Sequence, residues 1–449
     1  MNMPAIIIEP DQFQTQSEPV DVMVEDEFIA IADLNTVKTE VFRTYSRQVQ
    51  SEIEELQRDN RWEDIVSLFY PVESKLPDLF EKKLDTEIRS QLGFALGQIK
   101  RFDDALAELS ICVQIDAENF GYHSSLAYTA YNSLYAAKNR EIFLAGNLKS
   151  QRIELAHSHF RTAQLLRPDG ITNFYREGMM FKQIENKVDR ALPLFKSAVA
   201  NWESMDSARQ QERHQERKNY IKALYQLASS LLATGNAKSA LPLIKKCLAE
   251  DEKSGHLTLL FKYFAMGKVH FHLNQLPEAR DALVFAIKCA NDQQGDFVHE
   301  LLARTYLAMD NPARALEVIE KIPVKARKPY YRWTEADILC AMKDFGKART
   351  VLLQCQERDN RGRHKALIRL ARIEYLTEHF EQVVDYGAKA VKFFQDHWNN
   401  PYDAGLFWQA AGLLRLGKRD QARSIADALR KHNPRYPKLD KLFAALDKP

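Results

Sequence analysis

The sequence predicts an all-α fold, a solenoid of about ten antiparallel helical hairpins, and three observations predict it. First, a ten-residue pattern recurs in which one apolar helical run ends, polar or glycine-containing turn residues follow, and an alanine begins the next run. Second, a large apolar residue follows that alanine by four, at one helix face. Third, small residues such as Gly267 recur in the first helix, where they let two helices approach closely.

The recurring pattern fixes a register along the chain. We call the residue near the start of each second helix the anchor. The clearest copies of the pattern are LGQIKRFDDA, LLATGNAKSA, HFHLNQLPEA, YLAMDNPARA, LCAMKDFGKA and LLRLGKRDQA. With weaker copies included, the anchors are Ile65, Ala105, Ala156, Ala191, Ala240, Ala279, Ala315, Ala348, Val383 and Ala422. Seven of the nine steps between them are 33 to 40 residues long, whereas the 51-residue step that ends at Ala156 implies an insertion such as REIFLAGNLKS.

A helical hairpin repeated at about 34 residues, with this trend of small and aromatic residues, resembles the tetratricopeptide repeat (TPR) family. The resemblance covers roughly residues 46–436 and is strongest from Tyr220 to Gln356. It implies a right-handed superhelix whose concave side is lined by the first helix of each hairpin. Members of this family commonly hold an extended peptide or a helix on that side.

Composition and charge suggest three segments. Residues 1–37 contain eight acidic residues and no Lys or Arg, which predicts an acidic, disordered tail. The rest of the chain carries 63 basic against 53 acidic residues, a net charge of +10. We expect the repeat solenoid over residues 38–436 and a capping helix over 437–449. The charged stretch Ser207–Tyr220 is expected to form a helix that is solvated on all sides.

No apolar run approaches the ~20 residues that a membrane span requires, and the N-terminus lacks the pattern of a secretory signal. The expected location is therefore cytoplasmic.

Candidate chemistry in the sequence is sparse. The stretch GLLRLGKR, from Gly412, comes within one residue of the phosphate-loop pattern but lacks a preceding strand and a final Ser or Thr. The pairs His157/His159 and His270/His272 lie on predicted helices, where residues two apart point to different faces. Cys112, Cys247 and Cys355 each follow an anchor by seven residues and are read as small packing groups. We therefore predict no enzyme, no cofactor and no metal.

The TPR resemblance places a partner-binding groove on the outward residues of the first helices. The predicted groove residues are Tyr225, Phe261, Phe264, Lys268, Phe271, Arg304, Tyr330, Trp333, Arg372 and Tyr375. Aromatic rings offer stiff apolar contacts and arginine offers paired hydrogen bonds to carboxylates, so this set suits a protein segment with acidic and apolar residues. Packing between neighbouring repeats is the alternative role for each aromatic.

The predicted function is a non-catalytic scaffold or adaptor that binds a protein or peptide in this groove. A further hypothesis is that the acidic N-terminal tail occupies the groove until a partner displaces it. One alternative is a nucleic-acid-associated protein that uses the basic loops KARKPYYR and RDNRGRHK, 33 residues apart. Another is a regulatory subunit of an enzyme, which would share the fold and differ only in its partner.

Overall fold

A computed structural model describes residues 34–290 and 295–448, which contain 24 α-helices, two short 3-10 segments and no strand. They form two compact units, divided after Leu257. The all-α hairpin solenoid predicted from the sequence is confirmed. None of the described helices has the length and apolar character needed to cross a membrane.

The first unit contains α1 to α13. Their bounds are α1 Leu34–Arg58, α2 Trp62–Phe69, α3 Val72–Lys75, α4 Pro77–Glu81, α5 Thr86–Gln98, α6 Phe102–Ile115, α7 Phe120–Lys138, α8 Gly146–Leu166, α9 Thr172–Gln183, α10 Val188–Glu203, α11 Ser207–Glu212, α12 Arg217–Ala233 and α13 Ala237–Glu250. Residues 1–33 of the predicted acidic tail lie outside the described residues, and α1 begins inside the range 1–37.

The second unit contains α14 to α24. Their bounds are α14 Leu259–His272, α15 Leu276–Lys288, α16 Asp296–Ala308, α17 Pro312–Glu320, α18 Pro329–Ala341, α19 Phe345–Arg358, α20 Arg363–Leu376, α21 Phe380–Trp398, α22 Asp403–Arg415, α23 Arg419–His432 and α24 Leu439–Leu446. The last helix packs Leu439, Leu442 and Leu446 against the core of α22 and α23.

The turn between the two helices of a hairpin has a recurrent local cause. In nine hairpins of the described chain, the residue five before the anchor has a left-handed backbone, as in Lys100 (φ 64°), Asn274 (φ 58°) and Gly417 (φ 75°). The following amide donates back across the turn, from Gln275 N to His270 O at 2.9 Å and from Lys418 N to Leu413 O at 3.0 Å. These bonds satisfy carbonyls at the end of the first helix and reverse the chain direction.

The anchor positions predicted from the sequence are the positions that pack in the core of the structure. All ten anchors are completely buried. The small first-helix residues face the large residue four after the anchor: a Cβ built on Gly267 would lie 2.6 Å from Cγ of Leu283, and one on Gly178 would lie 2.6 Å from Cε1 of Phe195. Only glycine permits this approach, so the two helices of these hairpins are in close contact.

The cysteines that follow an anchor by seven residues are packing groups, as predicted. Cys112 and Cys247 are fully buried and Cys355 is nearly so. Each thiol lies at a backbone carbonyl 26 residues earlier in the chain, at 3.3 Å for Cys112 and Thr86 O and at 3.7 Å for Cys247 and Ile221 O. Burial raises the pKa of Cys112 to about 12, which makes a thiolate unfavourable there.

The charged stretch 207–220 is not solvated on all sides, so that expectation is wrong. It forms α11, the 3-10 turn His214–Glu216 and the first turn of α12. The Arg213 side chain is only 8% exposed, because its guanidinium contacts Asp169 Oδ2 at 3.0 Å and Glu216 Oε1 at 2.5 Å. A long-range ion pair folds the segment back onto the first unit, which the local charge pattern could not indicate.

Candidate partner-binding cleft

The first helices of the second unit form one layer. Contacts join α14 to α16, α16 to α18, α18 to α20 and α20 to α22. Since each helix keeps the same register, residues at the same distance from their anchors form columns across the layer. From α14 to α20, the column eleven residues before the anchor consists of Lys268, Arg304, Asp337 and Arg372. Three cations therefore flank one carboxylate on this face.

A cleft of about 530 Å³ lies on this face, over four successive first helices. From α14 and α16, it is lined by Phe271, Glu300, Arg304, Leu307 and Ala308. From α18 and α20, it is lined by Tyr330, Trp333, Thr334, Asp337, Lys365 and Arg369. This volume lies within the ~300–1,000 Å³ typical of ligand clefts.

Aromatic rings and cations alternate along the cleft. The guanidinium of Arg304 lies 5.1 Å from the centroid of the Phe271 ring. The ring of Trp333 is contacted by Lys365 Nζ at 5.2 Å and by the Arg369 guanidinium carbon at 5.5 Å. Such contacts stabilise the cations over the ring faces. The Trp333 ring also packs against Gly362, where an added Cβ would come within 2.6 Å of it.

Several polar groups of the cleft are hydrogen-bonded to each other. Arg369 Nε donates to Asp337 Oδ2 at 3.0 Å, and the Thr334 hydroxyl donates to Glu300 Oε1 at 2.7 Å. Arg304 approaches the same Glu300 oxygen only to 3.9 Å. Burial raises the pKa of Glu300, against the opposing effects of Thr334 and Arg304. The cleft therefore keeps basic character near Arg304 and Lys365.

The structure brings four of the ten predicted groove residues into this cleft: Phe271, Arg304, Tyr330 and Trp333. Lys268 is exposed one helix turn before Phe271, where partial desolvation of its ammonium group and the charge of Arg304 lower its pKa. Arg372 is exposed on α20, outside the lining.

The other predicted aromatics pack between helices. Phe264 and Phe261 meet the ring of Phe297, with centroids at 4.6 and 6.0 Å, across α14 and α16. Tyr375 lies between Phe380 and Trp408, at 5.7 and 5.5 Å.

Tyr225 belongs to the first unit and is half-buried in α12, where burial raises its pKa to about 12.

Five polar residues of the cleft lie outside the ten predicted groove residues: Glu300, Thr334, Asp337, Lys365 and Arg369. One signal was available for Glu300, which occupies the same position, fifteen residues before the anchor, as Phe264 and Trp333. Lys365 was assigned to a basic loop, but it lies in the first turn of α20 and folds over Trp333.

The histidine and glycine motifs noted in the sequence lie in ordinary helix packing and turns. His157 lies between Glu177 and Glu185, with ring nitrogens 2.9 and 2.7 Å from their carboxylates, and His159 Nδ1 lies 2.7 Å from His123 Nδ1. Among the described residues, no three His, Cys, Asp or Glu side chains are arranged to hold a metal. Gly412 lies inside α22 and Gly417 in the hairpin turn, and their surroundings are those of a helical hairpin.

No protein-family model matches the chain, and no curated protein matches it. Among solved structures it is similar to a tetratricopeptide repeat protein from Parabacteroides merdae, with 13% identity, 61% of this chain and 93% of that one covered, and a TM-score of 0.42. It is similar to human IFIT1 in its dimer with m7Gppp-AAAA, with 15% identity, 88% of each chain covered and a TM-score of 0.42. It is also similar to a chain of the Naa15/Naa10 complex bound to HypK, with 13% identity, 92% of this chain and 72% of that one covered, and a TM-score of 0.45.

All three TM-scores lie below 0.5. The hairpins, their turns and their buried anchors show a TPR-like helical-repeat fold.

Proposed function

We propose that this protein is a non-catalytic scaffold that binds a protein segment in the cleft of its second unit. The observation that supports this most is the Trp333 ring, which has two cations, Lys365 and Arg369, over it. An apolar side chain that packs on this ring would bring neighbouring carboxylates within reach of those cations. The expected partner is therefore a segment with a large apolar residue and flanking acids.

Rigid side chains favour binding at this site. Trp333 packs against Gly362, and Arg369 is oriented by Asp337, so little rotamer entropy is lost when a ligand arrives. Central aromatic and arginine residues commonly carry most of the binding energy of an interface. We expect Trp333 to be such a residue here.

The chain's own residues 1–33 match the same chemistry, with eight acids among apolar runs such as VDVMVEDEF. In the scaffold model they compete with an external partner for the cleft. A tethered segment reaches a millimolar effective concentration, so weak binding is enough to occupy the site. Deleting residues 1–33, which leaves α1 intact, is then expected to increase the affinity for an external peptide.

The experiment is selection of a random peptide library on the full chain, followed by affinity measurements with purified variants. Selected peptides are expected to combine an apolar residue with acids and to lose about tenfold or more in affinity on Trp333→Ala. Trp398→Ala is the matched control, because that tryptophan is 44% exposed on α21 and outside the cleft. Equal affinity for both variants would exclude the cleft as the binding site.

A nucleic-acid-associated function is the second candidate, and one observation favours it. Lys325 and Lys328 precede α18, Arg361 and Arg363 stand at the start of α20, and all four are exposed. Since α18 and α20 are in contact, these loops would lie along one basic edge in this second proposal. Arg327 contributes nothing to it, because its side chain is 5% exposed and pairs with Glu335 at 2.8 Å. RNA binding that weakens steeply with salt and disappears on Arg361→Glu would support this function.

A further inference from the structure

The α7–α8 hairpin differs from the other nine hairpins of the described chain. In those nine, the anchor is the fourth residue of the second helix, as Ala105 is in α6. In α8, Ala156 is the eleventh residue, so the helix has seven additional residues before the anchor. At 1.5 Å per residue, the tip of this hairpin lies about 10 Å further from its anchor than the other tips do. The insertion predicted from the 51-residue step is therefore two helical turns and a loop, residues 139–145.

Contacts on both sides fix this loop. Lys100 Nζ, in the α5–α6 turn, lies 2.8 Å from Glu141 Oε2, and this ion pair lowers the pKa of Glu141. On the other side, Lys138 Nζ donates to the backbone carbonyl of Gln183 at the end of α9. Glu141 N–H closes the helix end by donating to Ala136 O at 2.9 Å. The loop thus has a defined position between two neighbouring hairpins.

The loop presents an aromatic side chain to solvent instead of burying it. Phe143 is 92% exposed, more than any other large apolar side chain of the described chain. Beside it lies a cavity of about 550 Å³ with Leu134, Ile142, Leu144 and Ile184 in its lining. A projecting ring next to an apolar concavity is unfavourable in water and is a common mark of an interaction site.

The charges around this cavity are mainly positive. Lys138, Arg140 and Lys149 line it, and the one carboxylate in the lining, Glu141, is already paired with Lys100. Opposite charge on a partner would be attracted to this tip and oriented by it.

From these observations we propose that the α7–α8 tip is a second docking surface, separate from the cleft of the second unit. It fits an acidic segment of a protein partner that places a large apolar side chain in the cavity and packs against Phe143. Its acids would lie opposite Lys138, Arg140 and Lys149. The inserted residues are not required by the repeat, since nine hairpins fold without them; their use is in this contact. With both surfaces occupied, the scaffold would hold two partners.

The test uses the full chain carrying Trp333→Ala, so that the cleft does not dominate, and a random peptide library as the probe. Arg304→Glu with Lys365→Glu serves the same purpose if Trp333→Ala lowers the melting temperature. We expect enriched peptides to combine an apolar residue with two or more acids. Their affinity should fall about tenfold on Phe143→Ala and also on Lys149→Glu. Leu165→Ala is the matched control, because Leu165 is 81% exposed at the other end of α8.

Three results would overturn the proposal: no enrichment, equal affinity for the wild-type chain and Phe143→Ala, or displacement of the peptides by a synthetic peptide of residues 1–33. The last result would make the chain's own N-terminal segment the occupant. Because Phe143 is almost fully exposed, its removal should leave the circular dichroism and the melting temperature unchanged. Peptides that require Trp333 but not Phe143 report on the cleft alone, so the two surfaces can fail independently.

Discussion

Two glycines on one helix test the hairpin packing directly. A Cβ on Gly93 of α5 would lie 2.6 Å from Cγ and 2.9 Å from Cδ2 of Leu109, whereas a Cβ on Gly97, one turn later, meets nothing within 4 Å. Carbon atoms normally approach to about 3.5–4.0 Å, so Gly93→Ala forces the two helices apart by about 1 Å. Gly97→Ala requires no such movement.

The magnitude follows from two opposing contributions. Alanine gains up to ~1 kcal/mol over glycine in a helix, and overpacking a filled core costs about 1–3 kcal/mol. Because both substitutions share the helix gain, the difference between them isolates the contact with Leu109. We expect Gly93→Ala to be less stable than Gly97→Ala by about 1–3 kcal/mol.

Urea unfolding of the full chain, followed by far-ultraviolet circular dichroism, measures this difference. Gly97→Ala should raise the unfolding midpoint or leave it unchanged, and Gly93→Ala should lower it. The double variant, Gly93→Ala with Leu109→Ala, should lose less stability than the sum of the two single variants, since the clash of Gly93→Ala is absent once Leu109 is shortened. Equal shifts for the two glycine variants would refute the close approach of α5 and α6.

Two other predictions concern buried charge. Arg89 is 2% exposed and binds Asp85 and Glu108 at 2.6 Å and Glu73 at 2.5 Å. Arg89→Met leaves these three carboxylates without their cation, so it should destabilise the first unit by about 3–5 kcal/mol in urea unfolding at neutral pH. A loss of stability below ~1 kcal/mol would contradict this prediction. His364 is buried among aromatic rings of α21, and burial, with the nearby charge of Lys365, lowers its pKa to about 4. As the pH falls, the unfolded chain therefore binds a proton at His364 before the folded chain does, so the free energy of unfolding decreases between about pH 6.5 and about pH 4, by up to roughly 3 kcal/mol. His364→Phe should flatten that part of the plot of unfolding free energy against pH. An unchanged slope in the variant would show that His364 does not titrate in this way.

The fold could be predicted in detail from the sequence because the same helix packing recurs at a nearly constant spacing along the chain. An anchor such as Ala279 must be apolar, buried and correctly spaced in every repeat, and these three requirements leave a pattern that can be read without a structure. The two turns added to the α7–α8 hairpin appeared in the sequence only as a long step, since no local pattern states which helix grows.

The cleft could be predicted only in part. Phe271, Arg304, Tyr330 and Trp333 follow from first-helix positions, but Lys365 and Arg369 reach the site from the next repeat through their long side chains. Which way a flexible side chain turns depends on the ring beside it, here Trp333. That contact joins residues 32 and 36 apart in the chain and leaves no periodic signal.

The measurement that tests the central claim most directly is the affinity of library-selected peptides for the wild-type chain and for Trp333→Ala, with Phe143→Ala and Trp398→Ala measured alongside. The account predicts a class of acidic, apolar peptides whose affinity falls about tenfold or more on Trp333→Ala and is unchanged by the other two substitutions. Selected peptides that bind Trp333→Ala as tightly as the wild-type chain would contradict it.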